Sequence, residues 1–109
     1  MIITGVPFTT VNWEEVAPVE LQGDTGTVIA RTAEQGNIRV RMVEYGPNFS
    51  ADHWCSRGHV VLMLEGSATM ELEDGRTFEF GPGMSFQVAD GIDAHRVYTK
   101  TGAKVFIVD

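Results

Sequence analysis

From residue 36 onward the apolar residues of this chain recur at every second position, in short runs punctuated by glycine. In "GNIRVRMVEYG" (36–46), Ile38, Val40 and Met42 fall on one side of an extended strand and Arg39 and Arg41 on the other. In "SATMELEDGRTFEF" (67–80), Ala68, Met70 and Leu72 alternate against Thr69, Glu71 and Glu73 up to Asp74-Gly75, a dipeptide suited to a type I′ hairpin turn. Period two is strand geometry, because successive side chains of a strand point to opposite faces. "VVLMLEG" (60–66) is apolar at both parities, as expected of a strand covered on both sides. "GPGMSFQVADG" (81–91), "HRVYT" (95–99) and "KVFIVD" (104–109) add further short strands. The pattern predicts an all-β sandwich or barrel, with seven or eight strands in about 85 residues, the size of a small jelly roll.

A chain of 109 residues has room for one domain. Residues 1–26 read as an N-terminal arm and loop, and residues 27–109 as the β-barrel domain. Within the arm, "TTVNWEEVAPVE" (9–20) allows one helical turn capped by Thr10 or Asn12 and stopped by Pro18, and "QGDTG" (22–26) is turn chemistry. A hydrophobic fraction of 43% suffices for a core without disulfides, and the single cysteine fits a reducing cytoplasm. "MIITGVPFTT" lacks the features of a signal peptide, and "VVLML" (60–64) is too short to span a bilayer. The net charge of −7 argues against nucleic acid and anionic membranes as partners.

Two of the three histidines and the only cysteine lie within "ADHWCSRGHVVLMLEG" (51–66). His53 and Cys55, two apart, share a side if the segment is extended. His59 follows the short turn "SRG", and His95 opens a distant strand that a folded sheet can bring alongside. Neutral imidazole and thiolate are the preferred ligands of zinc and the late first-row metals, so the set reads as a metal centre. The competing reading is plain structure: edge histidines on a polar surface, and a cysteine acting as a small buried hydrophobe.

These residues resemble the first motif of the cupin superfamily, G(X)5HXH(X)3–4E(X)6G. Gly46 opens it one residue early, His53-Trp54-Cys55 fills the HXH slot, His59 stands in the Glu place and Gly66 closes it. Gly83, Gly91, His95 and Thr99 are similar to the second motif, G(X)5PXG(X)2H(X)3N, with His95 one residue late and Thr99 in the Asn place. "DHWC" and "LEDGRTF" further resemble a group of small bacterial cupins distinguished by a DHCW motif. The resemblance implies a cupin-type jelly-roll β-barrel, a double-stranded β-helix, with one divalent metal inside it held by His53, Cys55, His59 and His95. Cys in a His slot and His in the Glu slot make this donor set softer than usual, favouring Zn, Fe, Ni or Cu over Mn. Four ligands would close the site, whereas three His with Cys55 off the metal would leave open positions.

Val61 and Met63 share the parity of His59 and are expected to line a substrate pocket, with Met42, Phe86, Tyr98 and Phe106 as further lining. Arg57, Arg96, Gln87 and Tyr98 are candidate contacts at its mouth, and Asp52 a candidate partner for a ligating imidazole. The outer face of strand 60–64 (Val60, Leu62, Leu64) requires cover from the arm or from a second subunit, so a homodimer is expected. The leading functional expectation is a metal-dependent enzyme acting on a small organic molecule, by dioxygenase- or isomerase-type chemistry. The alternative is a non-catalytic small-molecule or metal-binding module.

Overall fold

The computed structural model describes residues 1–109. It has ten strands: β1 (Val19–Gln22), β2 (Thr27–Gln35), β3 (Ile38–Tyr45), β4 (Phe49–Ser50), β5 (His59–Gly66), β6 (Ala68–Leu72), β7 (Thr77–Phe80), β8 (Ser85–Val88), β9 (His95–Thr99) and β10 (Ala103–Val108). A six-stranded sheet ordered β1-β2-β3-β10-β5-β8 faces a four-stranded sheet ordered β4-β9-β6-β7. Every pairing is antiparallel and neither sheet closes on itself, giving a jelly roll of two packed layers. No helix is long and apolar enough to cross a membrane.

The expected strands are present, and β1, β2 and β4 join them. β1 lies inside the expected arm and pairs with β2 along Val19–Gln22, so the arm supplies an edge strand. The 3-10 turn Trp13–Glu15 forms where a helical turn was expected, with the Asn12 side chain accepting from the Glu14 N–H. The β6–β7 hairpin differs from expectation at its turn. Only Gly75, at φ +97°, has positive φ, while Asp74 does not, so the turn is not type I′. The Gly75 N–H donates to the Leu72 carbonyl and the Leu72 N–H to the Arg76 carbonyl, a type I turn relieved by a glycine bulge. Gly66 makes the corner between the two sheets: its φ is +78°, and a Cβ there would meet the Gly102 carbonyl oxygen at 2.2 Å.

The core lies between the layers. Val28, Val43, Val61, Met63, Val105 and Ile107 project from the large sheet to meet Phe49, Met70, Phe80 and Val97 from the small one. Burying a side chain of this size contributes roughly 1.5–3 kcal/mol. Buried Val43 fixes the parity of β3, and with it comes a correction. Arg41 and Tyr45 share Val43's inward face, while Met42 points outward, as does Phe106, its register partner on β10. Phe106 packs against Trp13 of the arm, ring centroids 6.4 Å apart. The arm also ties its start to the β2–β3 turn, through Thr4 N–H to Asn37 Oδ1 and Asn37 Nδ2 to the Ile2 carbonyl. It leaves the outer side of β5 bare, with Val60, Leu62 and Leu64 exposed by 39%, 37% and 38%. The apolar run 60–64 is therefore buried on one face, not on both.

Candidate metal centre

Two strands bring the histidines together from different layers. His59 begins β5 in the large sheet and His95 begins β9 in the small one. Cys55 joins them through one antiparallel bridge: its N–H donates to the His95 carbonyl at 2.7 Å, and the His95 N–H donates to the Cys55 carbonyl at 2.9 Å. The loop carrying Cys55 is fixed by Asp90, whose carboxylate accepts from the Gly58 N–H, and by the Gly91 N–H donating to the Ser56 carbonyl. The ligand atoms of Cys55, His59 and His95 lie within 4.8 Å of one another, a cluster able to hold a metal ion.

The hydrogen bonds around the cluster decide which ring nitrogens are free. His95 Nδ1 lies 3.0 Å from the Asp93 carbonyl oxygen, an acceptor only, so Nδ1 carries the hydrogen. His59 Nδ1 lies 3.3 Å from Asp109 Oδ2. Burial pushes the Asp109 carboxyl up, but hydrogen bonds from Arg39 and His59 and the nearby charge of Arg41 outweigh it and leave the pKa at about 2. Asp109 is thus an ionised acceptor, and His59 Nδ1 is likewise the donor. Burial, foremost, holds His59 below the ordinary imidazole pKa; the Asp109 hydrogen bond opposes it and the charge of His95 adds to it. With both Nδ1 positions protonated, the two Nε2 atoms present lone pairs to each other at 2.7 Å. Such a pair is repulsive unless the two nitrogens share a proton or both ligate one metal ion, and two imidazoles oriented through Nδ1 beside a cysteine are a soft metal-ligand set. The residues present therefore fit a transition metal.

His53 stands apart from this cluster. Residues 52 and 53 bend instead of running as a strand, so the i, i+2 parity expected of His53 and Cys55 does not hold. The His53 ring is 77% exposed and its Nδ1 sits 2.6 Å from Asp52 Oδ1, at the rim of the cavity beside the cluster. That cavity measures about 200 Å³ and is lined by apolar side chains including Val61, Phe80, Phe86 and Val97, together with Arg41 and Tyr45. Of the expected pocket residues, Val61 and Phe86 line it. Met63 is fully buried below it, while Met42, Phe106 and Tyr98 are not among its lining residues. At the mouth, Arg96 lies over the Trp54 ring at 4.2 Å, and Gln87 accepts from the Ser85 hydroxyl away from the cavity.

Sequence reasoning missed Asp109, whose side chain is wholly buried and accepts from Arg39 at 2.9 Å and Arg41 at 3.0 Å as well as facing His59. The signal was available: Asp109 shares the parity of Val105 and Ile107, the buried face of β10. Arg41, on the side of its strand opposite Ile38, Val40 and Met42, faces inward because it shares the parity of buried Val43.

No protein-family model matches the chain, and no curated protein is similar to it in sequence. Solved structures do match. The polyketide cyclase RemF from Streptomyces resistomycificus superposes with a TM-score of 0.75 at 23% identity, over 94% of this chain and 78% of that one. A predicted oxalate decarboxylase from Thermotoga maritima gives 0.75 at 13% identity, over 92% and 96%. A sugar phosphate isomerase from a cupin superfamily, from Silicibacter pomeroyi, gives 0.71 at 14%, over 92% and 74%. At these identities the likeness is one of fold: a jelly roll like that of solved proteins described as cupins.

Proposed function

We propose that this chain binds one divalent transition metal through Cys55, His59 and His95 and uses the adjoining cavity to act on a small organic molecule. The observation that carries the reading is the facing Nε2 pair at 2.7 Å, with both Nδ1 atoms already committed to acceptors. One thiolate and two imidazoles suit Zn, Fe, Ni or Cu. Three protein ligands with His53 held outside leave a coordination position free, the arrangement of a catalytic centre and not of a closed structural one. When bound, the metal supplies Lewis acidity or an oxygen-binding position.

The chain's own residues supply the rest. Asp109 and the Asp93 carbonyl hold the two rings in the ligating tautomer. Val61, Phe80 and Phe86 give the cavity an apolar wall. The fold neighbours include a cyclase, a predicted decarboxylase and an isomerase, so isomerase-type conversion of a small molecule is within what this scaffold supports in other proteins, and dioxygenase-type conversion is the other arm of the reading. The same reading includes a homodimer joined through the bare outer face of β5.

Metal analysis after expression in medium supplemented with Zn, Fe, Ni or Co tests this. We expect about one equivalent per chain, with a thiolate-to-cobalt charge-transfer absorption in the Co-loaded protein; less than about 0.2 equivalents would sink the metal centre.

A further inference from the structure

The cavity beside the cluster carries a second polar group that metal binding does not use. Arg41 lines it, and its guanidinium reaches Asp109 Oδ2 through Nη2 at 3.0 Å. Its Nε is buried and has no hydrogen-bond partner. A buried donor on a cation left unpaired is costly, and an unpaired one in a native fold calls for an explanation. A slight turn of the guanidinium on its flexible stem presents that donor to an occupant of the cavity.

The other arginines nearby are differently placed. Arg96 also lines the cavity, but its guanidinium is taken up by the Trp54 ring at 4.2 Å and the Glu71 carboxylate at 3.3 Å. Arg39 and Arg57 approach Asp109 at 2.9 and 3.6 Å without lining the cavity. Three guanidinium groups thus surround one buried carboxylate, which makes this end of the cavity locally cationic in a chain of net charge −7. Tyr45 lines the same cavity from the inward face of β3. Burial pushes its hydroxyl pKa up to about 12, with the charge of Arg41 opposing, so the group is a neutral O–H donor at ordinary pH. At about 200 Å³ the space equals roughly six or seven waters, too small for a drug-sized ligand, and its walls are otherwise apolar.

We propose that the cavity takes a small organic monocarboxylate, its carboxylate held by Arg41 with the Tyr45 hydroxyl as second donor, and its apolar part against Val61 and Phe86 beside the Cys55/His59/His95 cluster. This names the substrate class for the site proposed above and rests on that reading of the cavity. A planar guanidinium is the natural partner of a carboxylate, and Tyr45 adds a donor that a neutral isostere cannot exploit as well.

The test is calorimetric titration of the protein with propionate and benzoate against propionamide and benzamide, in both metal-free and Zn-loaded forms. Carboxylate over carboxamide by about tenfold or more is expected, and the Arg41→Gln variant should lose that preference about tenfold. Because Arg41 also touches Asp109, Tyr45→Phe serves as the second variant. Tyr45 is not a member of the Cys55/His59/His95 cluster, and its substitution should weaken carboxylate binding about three- to tenfold with Zn stoichiometry unchanged. No preference for carboxylate in either form, or a preference that both variants retain, overturns the proposal; the latter outcome would mean that the anion sits on the metal alone. The two readings fail separately. Arg41-dependent carboxylate binding in a protein that takes up none of the metals supplied sustains the carboxylate site and sinks the metal centre. Stoichiometric Zn without Arg41-dependent binding does the reverse.

Discussion

β5 and β9 lie in opposite layers, and each begins polar and ends closed. The inward residues of β5 are His59, Val61 and Met63; those of β9 are His95, Val97 and Thr99. At the far end Met63 and Thr99 are each 1% exposed and lack nothing: the Thr99 hydroxyl donates to the Ser67 carbonyl at 2.7 Å and accepts from the Gly102 N–H at 3.0 Å. At the near end the same two strands deliver imidazoles whose Nε2 atoms oppose each other, beside an arginine with an unpaired donor. One end of the sandwich is satisfied by its own chain; under the metal-centre reading the other is completed by a bound ion. A fold that packs competently at one end has kept its unsatisfied groups together at the other, which is how binding sites differ from packing faults.

The largest way to break this contrast is to remove a ligand. His95→Ala should abolish stoichiometric metal binding, a loss beyond the 10–100-fold typical of an outer partner, as read by metal analysis and competition with a chromophoric chelator. Retained full stoichiometry would mean that the metal sits elsewhere. The mirror experiment at the closed end is Met63→Ala. It removes a fully buried side chain and should cost about 2–5 kcal/mol in urea-unfolding free energy while leaving one metal per chain. If Met63→Ala also emptied the metal site, the two ends would be one cooperative unit and the comparison would collapse.

These two ends were unequally legible in the sequence. The alternation of 67–80 and 95–109 gave the strands and the jelly roll, because one face of each is apolar and the period is unambiguous. β2 was harder: "TVIARTAEQ" mixes Thr, Arg and Glu into both faces and lies near the sheet's edge, where pairing partners and not pattern decide. In β3 the apolar face Ile38, Val40 and Met42 points outward, and the arginine-bearing face turns in toward Asp109, an inversion that alternation alone cannot reveal. The site was legible as residue types, since Cys55, His59 and His95 do converge. His53 does not, because its parity argument assumed a strand where the backbone bends. Asp109 required knowing which face of β10 is buried.

A subtler break is at the partner of His59. Asp109→Asn keeps the shape but removes the charge that favours the Nδ1–H tautomer, and should weaken metal binding about 10–100-fold without eliminating it. Competition titration measures this, and an unchanged affinity would remove Asp109 from the centre. Smaller still is His53→Ala. With its ring 77% exposed and paired to Asp52, its loss should change metal affinity by less than about threefold. A loss comparable to that of His95→Ala would instead establish His53 as a fourth ligand that swings inward on binding, and would close the open position.

The smallest effect on a single chain is expected on the other side of β5, and it sharpens the comparison by asking whether incompleteness is confined to the interior. Val60 and Leu62 lie in register beside Val108 and Phe106 on β10, so the apolar surface continues across two strands. On the opposite flank β8 offers Gln87 and Ser85, which bound the patch with polar groups. A patch of this kind, rimmed by polar residues, is characteristic of an interface. Leu62→Lys places a charge at its centre without touching the core, so monomer stability should stay within about 0.5 kcal/mol. Under the homodimer reading, sedimentation should then report half the mass of the parent protein, whereas a parent that already sediments as a monomer would end that reading. The metal stoichiometry should be the same in both, since parity keeps Leu62 on the face opposite His59. A change there would show that the two faces of β5 are coupled after all.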